Sequence, residues 1–238
     1  MTKTRDSHFV NWVIVICKLF VVCDLFIGIF ICLTPAPLFA DGMPVEFDTL
    51  SHEIRQAVVV EAAGKVTARV SGWERKDAGW KQVIKPVAAV IGKNGLAPSG
   101  EKREGDGRTP TGTFELRRAF GYDRGVQTGL EYRAVTENDF WIDAPASSFY
   151  NQWVTGDVPG VSHEILRRQD GLYKYAVVIE YNTDPVVSGM GSAIFMHIWR
   201  GAGQPTAGCV ATAESDLLNL LHWLDSRRNP VIILYEIP

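Results

Sequence analysis

Ile194-Phe195-Met196-His197-Ile198-Trp199-Arg200-Gly201-Ala202-Gly203-Gln204-Pro205-Thr206-Ala207-Gly208-Cys209-Val210 is the stretch on which the reading of this chain turns. An apolar run carries one histidine, a loop rich in glycine follows, and the chain returns through Gly208 to Cys209. The pattern predicts a strand over 192–199, a turn-rich loop, and a short strand over 207–211. A loop of this length can fold back and bring His197 and Cys209 together.

Downstream, Leu217, Leu220, Leu221 and Leu224 recur at helical spacing. Thr212 is the expected N-cap, Glu214 and Asp216 enrich the first turn, Arg227 and Arg228 close the helix, and Asn229-Pro230 stops it. A terminal strand is expected over 230–235. Upstream, residues 173–181 read as a strand, and residues 120–172 as a loop-rich region. Further back, strands are expected over 56–60 and 65–73, then short apolar runs at 79–80, 83–84 and 86–91. Residues 92–114 form a long polar loop too dense in Gly and Pro for a helix, ending in a sharp turn into a strand. A loop pinned between strands often supports a site. The expectation is one mainly β domain, a sandwich-like sheet with a C-terminal helix following the cysteine.

Trp73, Trp80, Tyr122, Tyr132, Trp141, Tyr150 and Trp153 are read as packing residues, in keeping with how aromatics usually distribute. His52 and His163 default to the surface, and His222 to an exposed or interfacial helix position.

The N-terminal 40 residues stand apart. A polar start with Lys3 and Arg5 leads into an apolar stretch over 9–33, broken by Asn11, Lys18 and Asp24, and then to Pro35, Pro37 and Ala40. This reads as a signal peptide cleaved after Ala40. The alternative is a retained inner-membrane anchor, at the cost of Lys18 and Asp24 in hydrocarbon. Either way the segment engages the export machinery, and residues 41–238 form an extracytoplasmic, periplasmic domain. No Leu-Ala-Gly-Cys lipoprotein box is present. A net charge of −3, with no basic block and no zinc-ligand spacing, gives no reason to expect nucleic acid or metal. Three of the four cysteines, Cys17, Cys23 and Cys32, fall in that segment, so cleavage leaves Cys209 as the lone thiol.

A lone thiol in an oxidising compartment has no internal disulfide partner. It is either an inert core cysteine or a nucleophile. As a nucleophile, Cys209 needs a base, for which His197 is the candidate. Gly208 permits a tight bend, and amides around Gly208 and Cys209 could face an oxyanion. Cys209 is also expected just before a helix start, where amide dipoles favour a thiolate.

Three segments together resemble the L,D-transpeptidase catalytic-domain (YkuD-like) family. The first is the loop from Gly92-Lys93-Asn94-Gly95 through Glu104-Gly105-Asp106-Gly107-Arg108-Thr109-Pro110-Thr111-Gly112-Thr113-Phe114. The second is Phe195-Met196-His197, and the third is Thr206-Ala207-Gly208-Cys209-Val210. The resemblance implies a cofactor-free periplasmic enzyme acting on peptidoglycan stem peptides. Cys209 would attack the amide between L-Lys or diaminopimelate and D-Ala, expel D-Ala, and pass the acyl group from a thioester to an amine acceptor. Water as acceptor would make it an L,D-carboxypeptidase, and loss of the chemistry a wall-binding module. The resemblance points to Gly208 and Thr206 beside the nucleophile. Two positions depart from the family pattern: Ala207 where many members carry histidine, and Ala211 where many carry arginine. Arg200 is the candidate to supply that missing charge toward a substrate carboxylate.

Overall fold

The computed structural model describes residue 47 and residues 49–237, so the expected signal peptide or anchor and its cleavage point lie outside the described residues. The described chain runs β1 Gln56–Ala62, β2 Thr67–Lys76, β3 Gly79–Val90, β4 Leu96–Ala97, β5 Thr109–Pro110, β6 Gly112–Glu115, β7 Arg118–Gly121 and β8 Glu131–Ala134. It continues with β9 Asp139–Ile142, β10 Trp153–Thr155, β11 His163–Ile165, β12 Tyr175–Val178, β13 Phe195–Ile198, β14 Val210–Thr212, helix α1 Glu214–Trp223 and β15 Val231–Glu236.

Ten strands make one sheet in the order β6-β15-β1-β2-β3-β14-β13-β12-β7-β8. Its two halves share a core. Val58 and Val60 of β1 and Ile232 and Leu234 of β15 belong to one apolar cluster with Val177 of β12, Met196 of β13, Val210 of β14 and Leu217, Leu220 and Leu221 of α1. The mainly β, single-domain architecture with one helix after the cysteine is thus present. Alternate residues face the other way. Ala57, Val59, Val231 and Ile233 pack with Phe47, while Ala176, Val178 and Phe195 pack with Phe120, Trp141 and Tyr173. With both faces covered, strands such as β12 read as continuous apolar runs rather than alternating ones.

The aromatic residues pack as expected. Trp80 stacks on Phe47 at 4.4 Å and Trp73 meets the same ring edge-on at 5.2 Å. Trp141 and Tyr150 are buried. His52 and His222 are exposed, and His163 is half-buried on β11 against Phe140.

Two expectations need correction. The three short runs over 79–91 are one strand, β3, despite Pro86. The β2–β3 register jumps from Val70↔Val87 to Gly72↔Ile84, and β14 meets β3 only at Ala89 and Val90. Pro86 therefore sits at an irregular, locally unpaired point where its missing N–H costs no ladder bond. Secondly, Thr212 is not an N-cap but the last residue of β14, its Oγ1 donating to Ala88 O at 2.7 Å; Ala213 holds the cap position without a side-chain bond. Arg227 and Arg228 lie in a separate 3₁₀ turn, Ser226–Arg228, beyond the helix. Residues 120–172 are loop-rich, as expected, with short strands set among the loops. They supply β8 and a three-stranded sheet, β10-β9-β11.

That small sheet is organised by a side chain, not by apolar periodicity. Asp139 is fully buried on β9. Its carboxylate accepts from Arg133 Nη2 at 2.7 Å, Thr136 N and Oγ1 at 2.7 Å, Thr155 Oγ1 at 2.8 Å and Trp153 Nε1 at 2.9 Å. Burial alone would raise its pKa, but the bonds from Thr136, Trp153 and Thr155 outweigh it and hold the value at about 2. A carboxylate lowered in this way stabilises the fold above its ordinary pKa of 3.8, and that contribution is lost as pH falls towards 2. Asp139→Asn, which turns a donor toward these donors, is expected to cost about 3 kcal/mol at pH 7 in urea unfolding, on the scale of a broken buried pair. The gap from the parent protein should narrow as pH falls below 3.8.

Candidate active site

β13 and β14 run parallel, with Met196 opposite Val210 and His197 opposite Ala211. The pairing draws the two ends of the 199–209 loop together. His197 and Cys209 consequently line one cavity of about 300 Å³. Met196 points to the main core, while Phe195 and Cys209 lie on the other face of the sheet with Trp141 and Tyr173. Cys209 is a free, buried thiol. Its Sγ accepts from Phe195 N at 3.4 Å and lies 3.3 Å from Ala193 O.

The backbone beneath the cysteine is held from two directions. Thr206 Oγ1 donates to Cys209 O at 2.6 Å and accepts from Gly208 N at 3.1 Å. Thr109 Oγ1 donates to the same carbonyl at 3.3 Å and accepts from Gly92 N at 2.9 Å. The Gly-rich loop thus reaches the cysteine directly. Lys93 N donates to Thr206 O at 2.9 Å, and Thr206 N to Ile91 O at 3.0 Å. Two glycines are required by close approach. A Cβ on Gly92 would lie 2.4 Å from Gly107 O, and one on Gly208 2.9 Å from Arg108 O.

His197 is buried, and its Nδ1 lies 2.8 Å from Ile198 O. A carbonyl only accepts, so Nδ1 carries the proton and Nε2 keeps the lone pair. Tyr173 packs edge-on against the imidazole at 5.1 Å. Burial lowers the His197 pKa to about 4; the bond to Ile198 O pulls upward, while Arg168 and Arg200 push it down further. A neutral imidazole of this kind favours the folded state above its ordinary pKa of 6.5, and that contribution is lost as pH falls towards 4. Burial likewise raises the Cys209 thiol to about 12, against the bond from Phe195 N and the charges of Lys102 and Arg168. At neutral pH the pair is therefore a thiol and a neutral imidazole. The expected helix-dipole activation is absent, because β14 stands between Cys209 and the start of α1 at Glu214.

The remaining expected residues fall as follows. Gly208 spends its N–H on Thr206 rather than presenting it to the cavity, and the Thr206 hydroxyl holds the Cys209 carbonyl. Arg200 lines the cavity but is largely exposed, 3.7 Å from Asp170. Ala207 and Ala211 line it too. Residues not singled out by sequence reading also belong here: Tyr173, Glu164, Arg168 and Lys102. Arg168 lies over the Tyr173 ring at 5.1 Å, and the Tyr173 hydroxyl is 3.4 Å from Glu164 Oε2. Glu164 is raised above the ordinary carboxylate value, first by burial and then by Asp143, against Arg168. Nothing in the local pattern of residues 163–173 marks them as site residues, because the β9–β11 pairing brings them there. Among the described residues no cluster of His, Cys, Asp and Glu could hold a metal.

The structure is a mainly β domain with a buried cysteine and a buried histidine lining one cavity. The sequence matches the family model of the L,D-transpeptidase catalytic domain (YkuD) over residues 57–233, and the chain belongs to that family. A search of curated protein sequences finds no match. Among solved structures it is similar to the helical cell shape determining protein Pgp2 from Campylobacter jejuni, at 16% identity and a TM-score of 0.38, covering 77% of this chain and 48% of that one. A point mutant of the same protein gives 17% identity and a TM-score of 0.39 with the same coverage. The chain thus spans about half the length of these structures.

Thr206→Val removes both bonds made by the hydroxyl and leaves Cys209 O with the longer Thr109 contact alone. Acylation of Cys209 by a carbapenem, followed by mass spectrometry, is expected to slow about tenfold, the scale of one lost hydrogen bond. Thr206→Ser should retain the parent rate.

Proposed function

We propose that this chain is an exported cysteine L,D-transpeptidase acting on peptidoglycan stem peptides through a Cys209 thioester. The observation that carries the reading is the shared cavity of Cys209 and His197 within the matched domain, with the Gly-rich loop bonded to the cysteine backbone. Peptidoglycan lies outside the cytoplasm, which agrees with the export signal expected in residues 1–40.

His197 is the general base. With its pKa near 4 it is neutral at working pH, and Nε2 is ready to accept a proton. Cys209 enters the reaction as a thiol, since burial keeps it protonated. Proton transfer from Sγ to Nε2 accompanies attack on the carbonyl carbon of the third stem residue. An S–C bond forms and the carbonyl oxygen takes the negative charge. Collapse breaks the C–N bond to D-Ala, and the imidazolium returns its proton to the leaving amine. In the second half the acceptor amine attacks the thioester, its surplus proton passes through His197, and Cys209 leaves and is reprotonated. A low-dielectric site makes the pair strictly dependent on this proton transfer, because neither charged form is stabilised at rest.

Water in place of the amine gives an L,D-carboxypeptidase with the same residues. Glu164 and Asp143 in the cavity wall can draw in an amine acceptor, which sheds its proton before it attacks the thioester, and transfer is the preferred reading.

The deciding experiment incubates the purified full chain with tetrapeptide muropeptides, with and without excess D-amino acid, and weighs the products. Transfer predicts exchange of the terminal D-Ala for the added amino acid; release of tripeptide alone identifies the hydrolase. Cys209→Ala should abolish acylation by a carbapenem, and equal labelling of that variant would overturn the nucleophile assignment. His197→Ala should slow acylation by roughly 10²–10⁴-fold. The acid limb of kcat/KM should fall near pH 4 instead of near the ordinary histidine value of 6.5, because the base must be neutral to act.

A further inference from the structure

Four cations line the cavity around Cys209: Lys93, Lys102, Arg168 and Arg200. Lys93 is exposed and Arg200 is 57% exposed, so water and salt screen both. Arg168 is already committed. Its Nε and Nη2 donate to the two oxygens of Asp170 at 2.9 and 2.6 Å, and its Nη1 to Glu164 at 3.3 Å.

Lys102 differs from these. It is only 4% exposed although it ends in a charge. Its Nζ donates to Arg103 O at 2.7 Å and to Asp106 Oδ1 at 2.8 Å. An ammonium has three donors, so these bonds leave one unspent on a side chain that borders the cavity. Asp106 is shared with other donors. That carboxylate also accepts from Arg103 N and Arg108 N, each at 2.8 Å, which fixes it in place. The lysine is held in place by Gly191, whose backbone has φ +104 and where a Cβ would lie 3.2 Å from Lys102 Nζ. Its field reaches the nucleophile, lowering the Cys209 pKa against burial. The position two after the cysteine, where many family members carry arginine, is Ala211, fully buried and unable to contribute charge.

We propose that Lys102 is the carboxylate-binding residue of this cavity, its ammonium receiving the terminal carboxylate of the donor peptide on the D-amino acid that leaves. This rests on the peptide-donor reading above and names the group that recognises the donor's end. A buried cation costs solvation that a ligand carboxylate can help to offset, and a contact to buried Lys102 is less screened than one to an exposed arginine. Arg200 then has no part in carboxylate recognition.

The test is a binding measurement, which keeps it separate from turnover. The full chain carrying Cys209→Ala is titrated calorimetrically with a stem tetrapeptide ending in D-Ala and with the same peptide ending in D-alaninamide. The acid should bind about 10–100-fold more tightly than the amide, the scale of one hydrogen bond to a charged group. Adding Lys102→Met should abolish that preference, with Lys102→Gln, which keeps a donor for Asp106, as the second neutral variant should the first fold poorly. Lys102→Arg should retain part of the preference, and Arg200→Gln all of it. Equal affinity for acid and amide, no binding of either, or a preference that survives loss of Lys102 or disappears with Arg200 overturns the assignment. Carboxylate preference through Lys102 in a chain whose unaltered form transfers and hydrolyses nothing would uphold the subsite and sink the transpeptidase reading.

Discussion

The parallel pairing of β13 with β14 is the constraint from which the site follows. It sets Met196 against Val210 and His197 against Ala211, and so closes a loop of eleven residues between two rigid strands. Because both strands are central in a ten-stranded sheet, neither can slip by one residue without turning Met196 out of the main core and His197 into it. The positions of base and thiol are therefore enforced by the packing of their neighbours. Apolar residues on the opposite face, Met196 and Val210, hold the register that the polar chemistry uses.

Burial sets the electrostatic character of the pair. A thiol pushed up to about 12 and an imidazole pushed down to about 4 are both neutral at rest. This is the reverse of a thiolate–imidazolium pair. The acidic and basic groups around it are mostly tied to each other, Arg168 to Asp170 and Glu164, and Lys102 to Asp106. The cavity is thus polar at its walls and apolar beneath the sulfur, where Phe195, Trp141 and Tyr173 pack.

Much of this was legible in the order of residues. The apolar runs of β1, β12, β13 and β15 mark strands because both of their faces are buried, β2 shows as an apolar/polar alternation, and the helix shows in the spacing of Leu217, Leu220 and Leu221. Gly92, Gly107 and Gly208 could be seen as turn residues in the loops flanking the cysteine. The small sheet of β9, β10 and β11 could not. Its strands are short, and the group that organises them is a single buried carboxylate, Asp139, which looks like any loop aspartate in sequence. Pro86 hid a long strand for a related reason: whether a proline breaks a ladder depends on the neighbour that would have used its N–H.

By itself, then, the sequence determined the mainly β class, the helix, the family and the two residues worth testing, because hydrophobic period and short motifs are local properties. Tertiary structure alone decided what surrounds them. Tyr173 reaches His197, Thr109 reaches Cys209 across a hundred residues, and Lys102 is buried beside the cavity only because separate segments pack there. The protonation states of the pair belong to the same category. A pKa is set by desolvation and by the charges that happen to be near, and those are distances in space that no spacing along a chain records.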